Sequence, residues 1–172
     1  MMKFMTIAGF VILGLIAIAL VFLAYGRLSH WSAFTGPLPA ASYDFATAER
    51  SQTANDALGC SPGLCTADDG LTLPAWSIAP ADLLTALDDS LTGIDPLAQR
   101  IDDRSDPLRA RYVTFSPGLR FPDLIDIQVS PLAENRSGVE IYSRARLGKL
   151  DFGANRARIE ALIAALPQGL TE

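Results

Sequence analysis

The side chains best suited to chemistry in this 172-residue sequence are arginines near its C-terminal end. If residues alternate along a strand, Tyr142, Arg144 and Arg146 share one of its faces. Arg156 and Arg158 follow in the first turn of a predicted helix, where positive charge opposes the helix dipole. We therefore treat these arginines as the first candidate for a binding site.

Two interpretations of the arginine cluster are open. In the first, the arginines pair with nearby carboxylates and tie a helix to a sheet; the candidates are Asp123, Asp126 and Asp151. In the second, they bind an external anion, because arginine grips carboxylate or phosphate with two parallel hydrogen bonds and a helix N-terminus adds amide donors. Near a membrane, such an anion would be a lipid headgroup or an anionic small molecule.

The two cysteines form a second candidate. Cys60 and Cys65 enclose a Pro-Gly turn that can bring their Cβ atoms within bonding range, so we predict a structural disulfide. Such a bond persists in an extracytoplasmic compartment. Reactive thiols, a metal site and unpaired core cysteines are the alternatives, but the spacing is not the Cys-x-x-Cys of thiol redox enzymes. Zinc would need two further ligands, and the one histidine, His30, adjoins the hydrophobic N-terminal segment.

Composition narrows the function further. A single histidine excludes Ser–His–Asp and Cys–His catalysis, and no pair of carboxylates stands out for acid–base work. The chain carries a net charge of −5, with 12 acidic and 3 basic residues between positions 35 and 108 and 7 acidic and 9 basic residues after them. This balance argues against nucleic-acid binding, which needs a broad basic surface. We expect no metal and no cofactor.

Residues 4–25 contain no charged side chain. A helix of that length spans roughly 33 Å, about the thickness of the bilayer's hydrocarbon core. A cleaved signal peptide is the alternative, but its apolar region is normally about 7–15 residues long. We therefore predict a retained single-pass anchor. Charges on its two sides nearly balance, and the very short N-terminal side favours the N-terminus inside and the domain outside.

The remaining residues have the length of one domain. Residues 32–54 are rich in Gly, Pro, Ala, Ser and Thr and read as an extended lead-in, with a flexible stalk near the membrane. Leucines at helical spacing predict a helix from Pro80 that is capped by Gly93. A second amphipathic helix is predicted over residues 155–166.

Between the two helices, β-branched and aromatic runs predict strands at residues 109–115, 124–129 and 139–147, with a shorter one at 98–102. The fold class is therefore α+β, with a central antiparallel sheet of about four strands flanked by two helices. The predicted boundaries are 1–31 for the transmembrane anchor, 32–54 for the stalk or lead-in and 55–172 for the soluble domain.

Three blocks carry a family resemblance: Arg120-Phe121-Pro122-Asp123, Tyr142-Ser143-Arg144-Ala145-Arg146-Leu147-Gly148 and Asp151-Phe152-Gly153-Ala154-Asn155-Arg156-Ala157-Arg158-Ile159. Together they resemble the family known as domain of unknown function 1499, in a form common in proteobacteria. The segment around Cys60 and Cys65 resembles the family's cysteine-bearing region, although members often have Cys-Pro where this chain has Cys60-Ser61. The resemblance covers residues 55–166 and implies an exported or envelope location. It also singles out Asn155 beside the arginines, and it supplies no activity.

We therefore expect a membrane-anchored envelope protein, in a bacterial inner membrane with a periplasmic domain. Its role would be that of a non-enzymatic binding or accessory module, with an anionic lipid or a larger membrane protein complex as partner. The candidate anion ligands are Arg144, Arg146, Asn155, Arg156 and Arg158, supported by the carboxylates Asp123, Asp126 and Asp151. The alternative is an enzyme acting on a lipid or cell-envelope metabolite, with Asp151 and Asp123 as its acid and base.

Overall fold

A computed structural model describes residues 2–47, 49–65, 70–167 and 169 of the chain. The N-terminal part is a long helix, α1 (Met2–Ser29), followed by a single helical turn, α2 (Ser32–Thr35). Within α1, Thr6–Ser29 is long and apolar enough to cross a membrane, and its most apolar stretch of 18 residues is not buried against the rest of the protein. The predicted hydrophobic helix is therefore confirmed. Its length and composition suit either a membrane anchor or a signal sequence.

The described residues after α2 form one sheet and two helices. The strands are β1 (Asp56–Cys60), β2 (Leu71–Thr72), β3 (Gln99–Arg100), β4 (Arg109–Phe115), β5 (Pro122–Ala133) and β6 (Arg136–Ala145). The helices are α3 (Pro80–Ile94) and α4 (Ala154–Ala164). Across the sheet the strand order is β2-β1-β6-β5-β4-β3.

The α+β class with two flanking helices is confirmed, but the predicted sheet of about four antiparallel strands is wrong in detail. The described sheet has six strands and is mixed, because β1 pairs with β6 antiparallel and with β2 parallel. The two strands that were not predicted, β1 and β2, are short. The partner of β1 is β6, which lies far along the chain, and the partner of β2 is β1, which lies across a loop.

The predicted helix cap at Gly93 is also wrong. Helix α3 continues to Ile94, and its C-terminal cap is Asp95, whose amide donates to the Leu91 carbonyl.

One face of the sheet, the inner face, carries the hydrophobic core. Alternating residues of β5 and β6 point toward the helices, among them Ile125, Ile127 and Ile141. They pack against the buried leucines of α3 and against Ile159 and Leu162 of α4. Apolar burial of this kind contributes about 1.5–3 kcal/mol for each fully buried large side chain.

The opposite, outer face of the sheet carries polar and charged side chains and is partly covered by the lead-in. The Tyr43 ring stacks on Tyr142 with 3.9 Å between ring centroids. Arg111 Nη1 donates to the Pro39 carbonyl at 2.6 Å, and Arg146 Nη2 donates to the Thr35 carbonyl at 2.7 Å. The lead-in thus lies along the outer face, although the predicted boundary between residues 54 and 55 stays a prediction.

The end of α1 contacts the loop between β4 and β5. Arg27 Nη1 donates to the Gly118 carbonyl at 2.8 Å, and Trp31 Nε1 donates to the Leu119 carbonyl at 2.7 Å. The Trp31 ring lies over Gly26, where an added Cβ would meet the ring at 2.4 Å. Only glycine allows this close approach, so position 26 fixes how the chain turns out of α1.

Candidate functional site

Arg158 lies on the inner side of the sheet and is tied into an internal network. Its Nη2 donates to Asp123 Oδ2 at 2.7 Å, and its Nη1 donates to Asn155 Oδ1 at 2.6 Å and to Ser143 Oγ at 3.1 Å. Burial raises the pKa of Asp123, although the nearby Arg158 guanidinium opposes that rise. This network joins α4 to β5 and β6, as the first interpretation of the arginines requires.

Asp151 and Asn155 complete the network at the N-terminus of α4. The Asp151 carboxylate accepts the Gly153 amide at 2.9 Å, the Asn155 amide at 3.0 Å and Asn155 Nδ2 at 2.8 Å. Burial opposes ionisation of Asp151, but these hydrogen bonds outweigh it and lower the pKa of its carboxyl. Asn155 Nδ2 also donates to the Asn55 carbonyl at 3.0 Å. Asp151 thus supplies the acceptor that the first turn of α4 needs.

Arg156 points into solvent. Its side chain is 60% exposed and its Nε donates to Glu160 Oε1 at 3.0 Å, one helical turn away. Arg144 and Arg146 lie on β6 and just beyond it, where they contact or approach the lead-in. The four arginines that the sequence placed on one surface are therefore divided between the outer face and α4. A role for Arg156, Arg158 and Asn155 in binding an external anion stays a prediction.

A cleft of about 290 Å³ lies between the lead-in and the outer face of β4, β5 and β6. We call it the outer-face cleft; its lining includes Tyr43, Glu49, Arg111, Asp126, Tyr142 and Arg144. Burial raises the pKa of both tyrosine hydroxyls, so the aromatic wall of the cleft is uncharged at neutral pH. The chemistry of the cleft therefore rests on its arginines and carboxylates.

Arg111 and Asp126 form a buried ion pair at the floor of the outer-face cleft. Arg111 Nε lies 3.2 Å from Asp126 Oδ1, and the two side chains are 5% and 6% exposed. The same Asp126 oxygen accepts the Tyr43 amide at 3.1 Å. Burial raises the pKa of Asp126, while the Tyr43 amide and Arg111 oppose that rise. Asp126 was predicted as a supporting carboxylate; Arg111 was not, although the alternation of Arg109 and Arg111 in β4 was a signal that could have found it.

Arg144 differs from Arg111 in its contacts. It is half-buried in the outer-face cleft, and within the described part of the chain its guanidinium has no hydrogen bond and no ion pair. Its cross-strand neighbours are Asp56 and Leu124. The Asp56 carboxylate already accepts Arg50 Nη2 at 2.9 Å and the Ser51 amide at 3.0 Å. The nearest carboxylates of the sheet are thus occupied by other donors.

Arg146 lies beyond Arg144 and is held by backbone oxygens. Its Nη2 donates to the carbonyls of Thr35 and Pro37, each at 2.7 Å. Burial lowers the pKa of Arg146, and repulsion from Arg144 and Arg111 lowers it further. Arg111, Arg144 and Arg146 thus lie close enough to repel one another, and Arg111 and Arg144 also lie near the buried carboxylate of Asp126. An anion in the outer-face cleft would relieve that repulsion.

Glu140 lies on the same face, beside the disulfide. It is buried, it accepts Gln128 Nε2 at 2.9 Å, and burial raises the pKa of its carboxyl. The Gln128 Oε1 atom is buried and has no partner among the described residues. A protonated or amidated side chain at position 140 would offer that oxygen a donor.

Glu140→Gln is therefore expected to raise the free energy of unfolding at neutral pH, because it removes a buried charge and adds a donor. A carboxyl whose folded pKa is raised stabilises the fold below its unfolded pKa and loses that contribution as pH rises. The gain should therefore shrink as pH falls toward about 4. Urea unfolding at neutral and acidic pH measures it, and a variant that is less stable at both would contradict the argument.

The predicted disulfide between Cys60 and Cys65 is confirmed, with 5.8 Å between the Cα atoms. Replacing both cysteines by serine should lower the free energy of unfolding by about 2 kcal/mol, since the bond closes a short loop. Maleimide labelling of the unfolded protein should detect thiols only after reduction. Labelling of the unreduced protein would show that the bond does not form.

In the described residues no three His, Cys, Asp or Glu side chains are grouped to hold a metal ion.

Comparison with known families assigns the chain. The family model described as Protein of unknown function (DUF1499) matches residues 41–166. The chain belongs to this family. The DUF1499 region begins in the lead-in, so it contains Tyr43 and both cysteines as well as Arg111, Arg144 and the α4 network. The outer-face cleft therefore lies almost wholly inside the DUF1499 region, whereas α1 lies outside it. No curated protein matches the sequence.

Proposed function

We propose that this chain is a membrane-anchored envelope protein whose outer-face cleft binds a ligand carrying a phosphate or carboxylate group. Arg144 is the principal ligand-binding residue, and Arg111 and Arg146 add positive charge behind it. The anchor is α1, in a bacterial inner membrane, with the domain in the periplasm. Support for this location comes from the length of α1 and from a disulfide that suits an oxidising compartment.

The observation that carries the proposal is the guanidinium of Arg144, which lies in a concave site and has no hydrogen-bond or ion-pair partner among the described residues. A half-buried arginine without a partner forfeits hydrogen bonds that contribute about 1.5–3 kcal/mol each when they involve charged groups. The surrounding carboxylates of β1 and β5 are engaged by Arg50 and Arg111. An external oxyanion would accept the donors of Arg144 in the geometry that guanidinium favours.

The shape of the cleft also limits the ligand. A volume of about 290 Å³ accommodates a small organic anion or a lipid headgroup, with the stacked rings of Tyr43 and Tyr142 as an apolar wall. Glu49 lies exposed at the rim, so a ligand with a hydroxyl or ammonium group beside its anionic group would meet a complementary acceptor. The roof is the lead-in, which brings Tyr43 to the site through the Asp126 carboxylate.

A binding experiment tests the proposal. In the full chain, Arg144→Gln should weaken binding of glycerol 3-phosphate, measured by isothermal titration calorimetry, about ten-fold or more. Arg156→Gln is the matched control, because that arginine is exposed and remote from the cleft, and it should bind as the unaltered chain does. Equal affinities for all three proteins, or no binding of glycerol 3-phosphate, inorganic phosphate or citrate by the unaltered chain, would contradict the proposal.

A second candidate function is an enzyme, and one observation favours it. Asp123 and Asp151 line a common cleft of about 280 Å³, and their surroundings shift their pKa values in opposite directions. Two carboxyl groups whose pKa values are shifted apart are suited to act as general acid and general base. Turnover of a lipid or cell-envelope metabolite that Asp151→Asn abolishes while the protein stays folded would favour this candidate. Turnover retained by that variant would exclude Asp151 as a catalytic residue.

A further inference from the structure

We propose that two loops beside the anchor, residues 116–121 and 147–153, form a docking surface for the anionic surface of the lipid bilayer. We call them the docking loops. The inference rests on the proposed membrane anchoring by α1 and is independent of the outer-face cleft. Anchoring by α1 does not by itself require such a surface, because a single membrane-spanning helix can hold a domain on a flexible linker.

The docking loops expose large apolar side chains next to each other. Phe152 is 90% exposed, Leu150 is 53% exposed and Leu119 is 39% exposed. The two loops are neighbours, because Phe121 of one loop lines the same cleft as Leu150 and Phe152 of the other. Single exposed apolar residues are ordinary, but a contiguous group on adjacent loops marks a surface that meets a partner.

The backbone holds Phe152 outward at a conformational cost. Its φ angle is +56°, in the left-handed region that bulky side chains rarely adopt. The flanking residues over-determine this geometry, since the Asp151 carboxylate accepts the Gly153 and Asn155 amides on the far side of Phe152. A strained aromatic side chain that is 90% exposed is a feature that function, rather than folding, explains.

Contacts with α1 identify the partner as lipid. The loop 116–121 receives hydrogen bonds from Arg27 and Trp31 at the end of the anchor. The Trp31 ring lies 5.1 Å from the Phe121 ring and 5.3 Å from the Phe22 ring, which belongs to the membrane-spanning segment. With α1 in a bilayer, this loop is fixed at the level of the headgroups, where tryptophan and other aromatics concentrate.

The charges of the docking loops match anionic headgroups. Arg120 and Lys149 lie within them, and Arg27 adjoins the first loop. The one acidic residue of the two loops, Asp151, directs its carboxylate to the amides of its own turn. Basic and apolar side chains side by side are the composition of surfaces that insert shallowly into an anionic membrane.

Site-specific fluorescence quenching tests the docking. The full chain carries two cysteines, both in the disulfide, so an added cysteine can be labelled alone without reduction. We would label Lys149→Cys with bimane in one protein and Glu134→Cys in another, each in nanodiscs of phosphatidylcholine and phosphatidylglycerol with doxyl-labelled lipid. Glu134 lies at the far end of β5, whose 12 residues span about 36 Å.

The expected result is several-fold stronger quenching of the label at position 149 than at position 134. Adding Leu150→Ser and Phe152→Ser should abolish most of that difference. Equal quenching at the two positions, or a difference that the serines leave unchanged, would overturn the docking alone. Elution of the chain apart from the nanodiscs would overturn the anchor as well, and the affinity of the outer-face cleft for glycerol 3-phosphate is measured separately.

Discussion

Replacing Arg158 by alanine is expected to lower the free energy of unfolding by about 3–5 kcal/mol, because it leaves the carboxylate of Asp123 buried without its counter-ion. Asp123 accepts Arg158 at 2.7 Å, and both side chains are largely buried. The substitution also deprives Asn155 Oδ1 and Ser143 Oγ of a donor. Since small domains are stable by about 5–15 kcal/mol, the loss would bring the protein near its unfolding threshold.

The matched control is Arg156→Ala, two positions earlier on α4. Arg156 is exposed, and among the described residues it pairs with Glu160 alone, within the same helix, so its loss should change stability by less than about 0.5 kcal/mol. The difference between the two variants should narrow as pH falls, because protonated Asp123 needs no counter-ion. Urea unfolding at neutral and acidic pH measures both effects. Equal stabilities of the two variants at neutral pH would contradict a structural role for Arg158.

Asp126→Ala is expected to have an effect of the same size, about 3–5 kcal/mol, since it leaves the buried Arg111 without a carboxylate. It also removes the acceptor of the Tyr43 amide, so the lead-in should be held less firmly at Tyr43, while Arg111 and Arg146 still bind its carbonyls elsewhere. Hydrogen exchange of the Tyr43 amide should therefore accelerate in this variant beyond the change that its lower global stability causes.

Asp106→Ala is the control for this second variant. Asp106 also pairs with an arginine, Arg109, but the pair is half-exposed and its closest atoms are 3.6 Å apart. Exposed pairs contribute about 0–1 kcal/mol, so this variant should unfold close to the unaltered chain. If Asp126→Ala were as stable as Asp106→Ala, the buried Arg111–Asp126 pair would not make the contribution to stability that is expected of it.

The elements that the sequence predicted well are those with a strong local pattern. The uninterrupted apolar run of α1 and the leucines of α3 at helical spacing specify their helices without reference to other parts of the chain. The alternation in β6 likewise placed Tyr142 and Arg144 on one face of their strand, and both line the outer-face cleft. By contrast β1 and β2 are short, and their strand conformation depends on pairing rather than on their own residues: β1 pairs with β6, and β2 pairs with β1.

The same limit applies to the candidate site. Alternation placed Arg144 and Arg146 together, but it could not tell which carboxylate each arginine reaches. That Arg158 takes Asp123 and Arg111 takes Asp126 depends on strand register and on the path of the lead-in, which are non-local. In the part of the chain that the structure describes, Arg144 is left unpaired because Asp56 and Asp126 are engaged by other donors. No local pattern in the sequence could have predicted which carboxylate pairs with each arginine.

Taken together, the two proposals place the outer-face cleft and its anionic ligand next to the bilayer surface. The lead-in that roofs the outer-face cleft follows directly from the end of α1, and the loop 116–121 accepts hydrogen bonds from Arg27 and Trp31 at that end. A ligand of the cleft would therefore be drawn from the bilayer surface or from solution next to it. Citrate and glycerol 3-phosphate represent the soluble class, and phosphatidylglycerol represents the lipid class.

The most direct test of anion binding at Arg144 is native mass spectrometry of the full chain extracted from its own membranes. The unaltered protein is expected to retain a small anionic molecule or an anionic lipid, and the Arg156→Gln protein should retain the same one. The Arg144→Gln protein is expected to lose it. Recovery of the unaltered protein without any bound anion, or of the Arg144→Gln protein with the same anion at the same occupancy, would contradict the account.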